Sequence, residues 1–586
     1  MCGIFALLNN NGSYTYDTIK KAFLKGSNRG PEYSILQPEF YNYILGFHRL
    51  AINGLNPESH QPLILDQNLI LICNGEIYNY KELYQEMKIT PNTDSDCEVI
   101  LHMYKRYGMS QTLRHLDGVF AFVLIDMTLE TDEPTMYVAR DPYGVRPLYI
   151  LQNKDESANT SYEKGFYGFA SEMKCLVRFK QEHNAISQFP PGHYDTYKRD
   201  SSMSSLWKYS ETFKYHDIGF QSIVNNFHHS HCMNAIYKNI IYYLKQAVFK
   251  RCSNSDRPIA CLLSGGLDSS LICALVCEYN KTHRLEPPET YSIGLKGSQD
   301  LHYASVVANH LHTKHTSIEL TEEEFVSEID NVIYTIESYD TTTIRASIGN
   351  YLLGKYISTH SEAKVIMNGD GSDEVCGGYM YFHCVPDNIE FDRECYRLLY
   401  NIHKYDVLRS DKCISSHGLE PRTPFLDRSW VNYYMSIPTH IRNHNVTGKI
   451  EKFLLRRAFS EENYGSRLLP VEILQRSKEA FSDGVSKQTR SLYEIIQEHI
   501  SKKDSIQLVY SSRHYLNATT DEQRYYISVF NKHYKDCGNV IDYYWMPQYV
   551  NAKDSSARTL NIYSIVNNNT NSENLEKLND NEPISV

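Results

Sequence analysis

Ile259-Ala260-Cys261-Leu262-Leu263-Ser264-Gly265-Gly266-Leu267-Asp268-Ser269-Ser270 decides the fold of the larger half of this chain. The run to Leu263 is short and apolar, as a buried strand is. Leu271, Ile272, Ala274, Leu275 and Val276 then continue as an apolar helix. Between them, two glycines let the backbone wrap an anion, and the helix N-terminus adds N–H donors and a favourable dipole. No Gly-Lys-Ser/Thr follows, so this is not a Walker A loop. Asp268 puts a carboxylate where a phosphate would sit, which makes sense if it holds Mg²⁺ that bridges phosphate oxygens. A plain Ser/Gly turn with a helix cap is the competing reading, and the placement between strand and helix weighs against it.

The theme recurs downstream. Lys364-Val365-Ile366-Met367 reads as a second strand, followed by Asn368-Gly369-Asp370-Gly371-Ser372-Asp373-Glu374. Asp373 can complete a magnesium site with Asp268, unless this is only an exposed acidic turn. The spacing of an EF-hand is absent. Strand–turn–helix repetition over residues 236–555 argues for an α/β domain with a parallel sheet.

Residues 2–195 read differently. Ile44–Phe47, Leu69–Cys73, Val119–Ile125 and Met136–Ala139 are short apolar runs bounded by turn residues. A single clear helix carries Val99, Ile100, Met103, Tyr104 and Tyr107, starting after Asp94-Ser95-Asp96 and ending at Gly108. Strands with few crossover helices favour an antiparallel α+β domain. The polar stretch 196–235 is expected to be a linker, 152–165 a surface loop, and the Asn-rich tail 556–586 disordered. His228, His229, His231 and Cys232 fit a solvated loop better than a metal site, because no second ligand cluster is spaced to complete a tetrahedron.

The whole chain has 586 residues, with 59 Lys+Arg against 70 Asp+Glu and a net charge of −11. That excludes a general pull toward nucleic acid or anionic membrane. No apolar run reaches the ~18 residues of a membrane span, and Met1–Leu8 lacks the basic region of a signal peptide. The 14 cysteines contain no C-x-x-C pair, which suits reduced thiols in the cytosol.

Cys2 is the second focus. With Met1 removed, its thiol shares a residue with a free α-amine, a usable base near neutral pH. Arg49 can pair with an α-carboxylate in a fork, and Glu76 and Asp96 can hold an α-ammonium. The Asn74 side chain and the Gly75 backbone N–H can receive an oxyanion. Each has an ordinary structural alternative: a surface ion pair, a hairpin turn, a helix cap. Together they match a glutamine amide hydrolase.

Met1-Cys2-Gly3-Ile4, His48-Arg49-Leu50, Asn74-Gly75-Glu76-Ile77-Tyr78-Asn79 and Arg140-Asp141-Pro142-Tyr143-Gly144-Val145-Arg146-Pro147 resemble the class II glutamine amidotransferase domain. The resemblance implies an Ntn-hydrolase αββα sandwich, with Cys2 as nucleophile and Asn74 and Gly75 as oxyanion hole. It further implies a glutamine pocket of Arg49, Leu50, Ala51, Ile52, Asn53, Asn74, Gly75, Glu76 and Asp96. The two glycine loops, with Glu337–Ser347, Glu420–Asp427 and Lys478–Val485, resemble the ATP-pyrophosphatase domain of the asparagine synthetase family. From that family, Leu262, Ser264, Gly265, Gly266, Asp268, Ser269, Ile293, Asn368 and Gly369 are expected to bind ATP with Mg²⁺. Asp370, Thr342, Arg345 and Lys478 are expected to serve aspartyl-AMP formation.

The implied activity is glutamine-dependent asparagine synthesis, with β-aspartyl-AMP in one site and ammonia passed from the other. The family also suggests a cytoplasmic homodimer. One departure stands out: Asp370 occupies a place where the family usually has Glu. Two alternatives stay open, a catalytically weak nitrogen-sensing or storage homologue and a same-fold enzyme acting on another carboxylate. A phosphoribosyltransferase or sugar isomerase partner domain is disfavoured by the Ser264–Ser269 loop.

Overall fold

The computed structural model describes residues 1–128, 133–153, 165–200, 205–217, 230–445, 448–479, 484–486, 490–502, 515–552, 554–556 and 560, with 230–232 as backbone only. His228 and His229, most of the 152–165 insert and nearly all of the tail lie outside the described residues, while the backbone of His231 and Cys232 belongs to the helix Ser230–Ser253 rather than to the expected loop.

The N-terminal half carries β1 (Gly3–Leu8), β2 (Tyr33–Leu36), β3 (Tyr43–Arg49), β4 (Leu63–Leu65), β5 (Leu69–Ile77), β6 (Gly118–Asp126), β7 (Thr135–Arg140), β8 (Tyr149–Asn153), β9 (Tyr167–Ala170), β10 (Asn184–Gln188), β11 (His193–Lys198) and β12 (Lys208–Lys214). They form two antiparallel sheets, ordered β10-β8-β9-β1-β3-β2 and β12-β11-β7-β6-β5-β4. Alternation along each strand sends side chains to opposite faces. Ile4, Ala6 and Leu8 of β1 meet Ile72, Val123 and Val138 of the second sheet in one core between the sheets. Phe5 and Leu7 point the other way, onto Ile19, Ala22 and Phe23 of the helix Tyr16–Phe23. Leu71, Cys73 and Phe122 pack on Val99, Ile100 and Met103 of the helix Val99–His115. The result is the expected αββα sandwich. The expected end of that last helix at Gly108 is a break instead: Gly108 adopts φ 74°, and the helix resumes to His115.

The C-terminal half is built on β13 (Ile259–Leu262), β14 (Glu289–Leu295), β15 (Lys314–Leu320), β16 (Val365–Met367) and β17 (Glu420–Arg422), all parallel, in the order β15-β14-β13-β16-β17. Apolar clusters cover both faces. Cys261 and Leu263 pack on Leu271 and Leu275 of the helix Leu267–Thr282, while Ala260, Leu262 and Ile293 pack on Leu353 and Ile357 of the helix Thr341–His360. β13 has β14 on one side and β16 on the other, so the loops after β13 and β16 open side by side at the switch point, where α/β folds bind ligands.

The expected linker 196–235 needs correction. β11 runs to Lys198, and β12 pairs with it from Lys208 to Lys214. The second half opens with a helix at Ser230. β12 is an edge strand, exposed along nearly its whole length, so it lacks the apolar alternation that marks a strand in sequence. Buried ion pairs join the two halves: Arg29 with Asp411 at 2.8 Å and Lys412 with Glu172 at 3.1 Å, Arg29 and Glu172 being themselves paired at 2.8 Å within the first half.

Candidate active sites

Cys2 lies just ahead of β1, whose first residue pairs with His48 of β3. That register sets the Cys2 thiol beside the Leu50 carbonyl, 3.7 Å away. Burial pushes the thiol up, opposed by the neighbouring amino group. Met1 is 1% exposed, its amino group 3.9 Å from Glu420 Oε2.

β5 delivers three of the expected residues. Both polar atoms of the Asn74 side chain are buried without a hydrogen-bond partner. An orphaned amide costs free energy, so this one is a donor kept for something else. A Cβ on Gly75 would lie 2.5 Å from the Val119 carbonyl, so only glycine fits. Glu76 Oε2 accepts from Asn53 Nδ2 at 2.5 Å and faces Arg422 Nη2 at 3.2 Å. Burial, then Glu420 and Asp96, drives its carboxyl well above the usual range, against Arg422 and Arg146. Asp96 accepts the Ile77 N–H at 2.6 Å, and burial pushes its carboxyl up to about 6. The loop 50–54 is braced from the other half. Ala51 O accepts from Arg257 Nε at 2.9 Å, and Ile52 O from Asp256 N at 3.0 Å. Arg49 is the partial exception. It donates to Asn56 O at 2.9 Å and Gly54 O, and meets His60 Nδ1 at 2.7 Å. Its guanidinium therefore shapes the pocket loop rather than standing free.

The second centre forms where the loops after β13 and β16 touch. Gly265 takes φ 72°, and a Cβ there would fall 2.4 Å from Ala304 N. A Cβ on Gly369 would fall 2.8 Å from Ser269 N. Both glycines are thus demanded by close backbone approach. Leu262 and Ile293 line the apolar end of the resulting cleft, and Ser264, Gly266 and Ser269 its loop side. Asp268, Asn368, Gly369, Asp370, Asp373, Thr342 and Lys478 face the same space.

Asp268 and Asp373 do converge. Between them sits Lys452, 2.6 Å from Asp268 Oδ2 and 2.5 Å from Asp373 Oδ1, with Lys478 2.5 Å from Asp373 Oδ2. Burial would raise the Asp373 carboxyl, but the two lysines hold it down to about 2. Asp370 Oδ1 takes a contact from Arg409 at 3.2 Å, while Oδ2 is buried without a partner.

Arg345 needs correction. It is expected among the groups that act on aspartate and phosphate. Instead it forks onto Glu522, at 2.9 and 2.6 Å, and onto Asp554, at 2.8 Å twice. It therefore pins C-terminal segments over the helix that carries Thr342, and is absent from the cleft lining. Sequence reasoning missed Lys452, Arg409 and Arg422. Lys452 and Arg409 sit in no glycine loop or patterned run, and Arg422 lies inside the quoted Glu420–Asp427 stretch without being singled out there.

Known proteins resemble this chain over nearly its whole length. The model of the glutamine amidotransferase domain matches residues 1–210. The asparagine synthase model matches 240–390 and 385–537. The chain is 38% identical over 580 residues to asparagine synthetase [glutamine-hydrolyzing] of Gallus gallus, covering 96% of this chain and 99% of that one. The Homo sapiens protein of the same name is 37% identical over 585 residues, with the same coverage. Among solved structures, glutamine phosphoribosylpyrophosphate amidotransferase from B. subtilis aligns at 19% identity, with a TM-score of 0.28 over 48% of this chain and 64% of that one.

Proposed function

Because this chain belongs to the glutamine-hydrolysing asparagine synthetase family, we propose that it makes asparagine from aspartate, glutamine and ATP by dividing the work between its two centres. It is a carbon–nitrogen ligase with glutamine as amide donor. The observation that carries the division of roles is the pairing, in one chain, of a buried Asn74 amide without a hydrogen-bond partner with two glycine loops that meet over acidic and basic side chains.

In the first centre, removal of Met1 exposes the Cys2 amine, which takes the thiol proton. Sγ then attacks the glutamine side-chain carbonyl. The oxyanion that forms is received by Asn74 Nδ2 and the Gly75 N–H, donors that need no rearrangement. Ammonia leaves, and water cleaves the γ-glutamyl thioester to glutamate. Glu76 and Asp96 hold the substrate ammonium.

In the second centre, the aspartate β-carboxylate attacks the α-phosphorus of ATP, and pyrophosphate departs along the Ser264–Ser269 loop. Ammonia then attacks β-aspartyl-AMP, giving asparagine and AMP. Lys452 and Lys478 are placed to take up the phosphate charge. Asp268 and Asp373 fit Mg²⁺, since hard carboxylate oxygens already converge on a cation and phosphate can supply further ligands. Bound there, the ion would neutralise the departing pyrophosphate. Ammonia would be protonated and lost in bulk water, so an enclosed route between the centres belongs to the proposal. So does a cytosolic location, where the 13 described cysteines, all free, would stay reduced. A homodimer is proposed from the family alone.

The test is product analysis. Purified protein with Mg-ATP, aspartate and glutamine should yield asparagine, glutamate, AMP and pyrophosphate in equal amounts. ADP and orthophosphate would refute the adenylate route.

A further inference from the structure

The acid expected to hold glutamine's ammonium is itself held by the other half of the molecule. Glu76 meets Arg422 of β17 at 3.2 Å and Asn254, which precedes β13, at 3.4 Å. Arg422 is 1% exposed and its guanidinium is fixed on several sides. Nε donates to Glu420 at 2.7 Å, and Nη1 to the Asn254 carbonyl at 2.7 Å and to the Arg251 carbonyl. A planar fork fixed this way cannot shift without shifting its partners. Its backbone reaches the second centre. The Arg422 carbonyl accepts the Asn368 N–H at 3.1 Å, and Asn368 Oδ1 accepts the Asp370 N–H at 3.3 Å. Glu76, Arg422, Asn368 and Asp370 therefore form one path between the two pockets, an ion pair followed by two hydrogen bonds.

We propose that Arg422 is a positioning residue through which the adenylating loop sets the glutamine affinity of the distant pocket. The inference rests on the reading of Glu76 as the ammonium partner. Burial, Glu420 and Asp96 all work against the charge on Glu76, and Arg422, 3.2 Å away, is the first of the cations that oppose them. When nucleotide and aspartate order the loop at Asn368, the Arg422 backbone is held in register and the guanidinium stays aimed at Glu76. Glutamine is then bound best when the acceptor is ready. Coupling of this kind is a free energy shared between sites and is read as a change in affinity.

The experiment measures glutamate release at varied glutamine, with and without Mg-ATP and aspartate, for the wild type, Arg422→Met and Arg422→Lys. Asparagine formation from ammonium is measured beside it. In the wild type, Mg-ATP with aspartate should lower the glutamine KM by about threefold or more, within the usual range of coupling. Arg422→Met should raise that KM about tenfold with little change in kcat, and abolish its response to Mg-ATP and aspartate. Ammonia-dependent synthesis should stay within about twofold, because the bond to Asn368 runs through the backbone that the substitution keeps. Arg422→Lys should recover part of the KM, through its charge, but not the response. An unchanged KM in Arg422→Met overturns the proposal. So does a wild-type KM indifferent to Mg-ATP and aspartate, or a parallel loss of ammonia-dependent synthesis, which would make Arg422 merely structural. A wild type that hydrolyses no glutamine would overturn the functional reading and this inference with it.

Discussion

The two centres bury acids in opposite ways. In the first, Glu76 and Asp96 have carboxyls pushed up, because burial and neighbouring acids outweigh the cations that face them. In the second, Asp373 is held down to about 2, because Lys452 and Lys478 both reach it. The first pocket is short of positive charge and suited to receive an ammonium. The second already contains its cations, ready to turn toward phosphate. In the proposed reaction the first would meet the cationic end of its substrate and the second the anionic phosphates.

The sharpest way to break this division is Cys2→Ala. Glutamine-dependent synthesis should fall by about 10³-fold or more, while ammonia-dependent synthesis persists. Loss of both activities, measured as asparagine formed from each nitrogen source, would mean that the two centres are not separable.

The mirror experiment strikes the shared step. In Gly369→Ala the new Cβ meets backbone at 2.8 Å from Ser269 N and 2.9 Å from the Asp268 carbonyl carbon, where no flexible side chain can yield. Pushing the two loops apart by a fraction of an ångström should lower synthesis from both nitrogen sources about 10²-fold. Glutamine hydrolysis without ATP should be nearly unaffected. A variant that synthesises normally would show that the loops need not touch.

The same comparison explains what could be read without coordinates. Where chemistry needs contiguous backbone, the sequence carries it: Ser264–Ser269, Asn368–Glu374 and Asn74–Glu76 each work through glycines or adjacent donors. Counter-charges need only reach, so they come from anywhere in the chain. Lys452 arrives from a segment with no local pattern, while Arg422 and Arg345 lie inside the quoted stretches Glu420–Asp427 and Glu337–Ser347, where nothing local tells that one turns to Glu76 and the other to Glu522 and Asp554. β12 was illegible for another reason: an exposed edge strand has no buried face to impose alternation.

A smaller effect should appear in pH profiles. The Asp96 carboxyl is raised to about 6, so its charged form costs the empty fold stability. That stability is full below the unfolded carboxylate value of about 4 and is lost as pH rises through about 6. Under the proposed function, glutamine binding would need the opposite state, an ionised Asp96 facing the substrate ammonium. The kcat/KM for glutamine should therefore fall as pH drops through about 6, with no matching limb at saturating glutamine. Asp96→Asn should weaken glutamine binding and erase the limb. If the limb survives in that variant, another group governs it.

The smallest change sharpens the comparison most on the ATP side. Asp370 stands where the resemblance leads one to expect Glu, one methylene longer. Its Oδ1 is tethered to Arg409 at 3.2 Å, and Arg409 also pairs with Asp406, which anchors the tether. Oδ2 is buried and unpartnered, and the residue lines the cleft. An added methylene would carry the carboxylate further into that open space, with Arg409 still within reach as a long, pivoting side chain. Asp370→Glu should therefore leave kcat for both nitrogen sources within about threefold or raise it. The glutamine KM should not change, because Asp370 N–H, not its side chain, bonds Asn368. A collapse of both activities would mean that Arg409 and Asp406 have closed the pocket around the shorter acid. The charge balance of the second centre would then be set to the ångström, more tightly than that of the first.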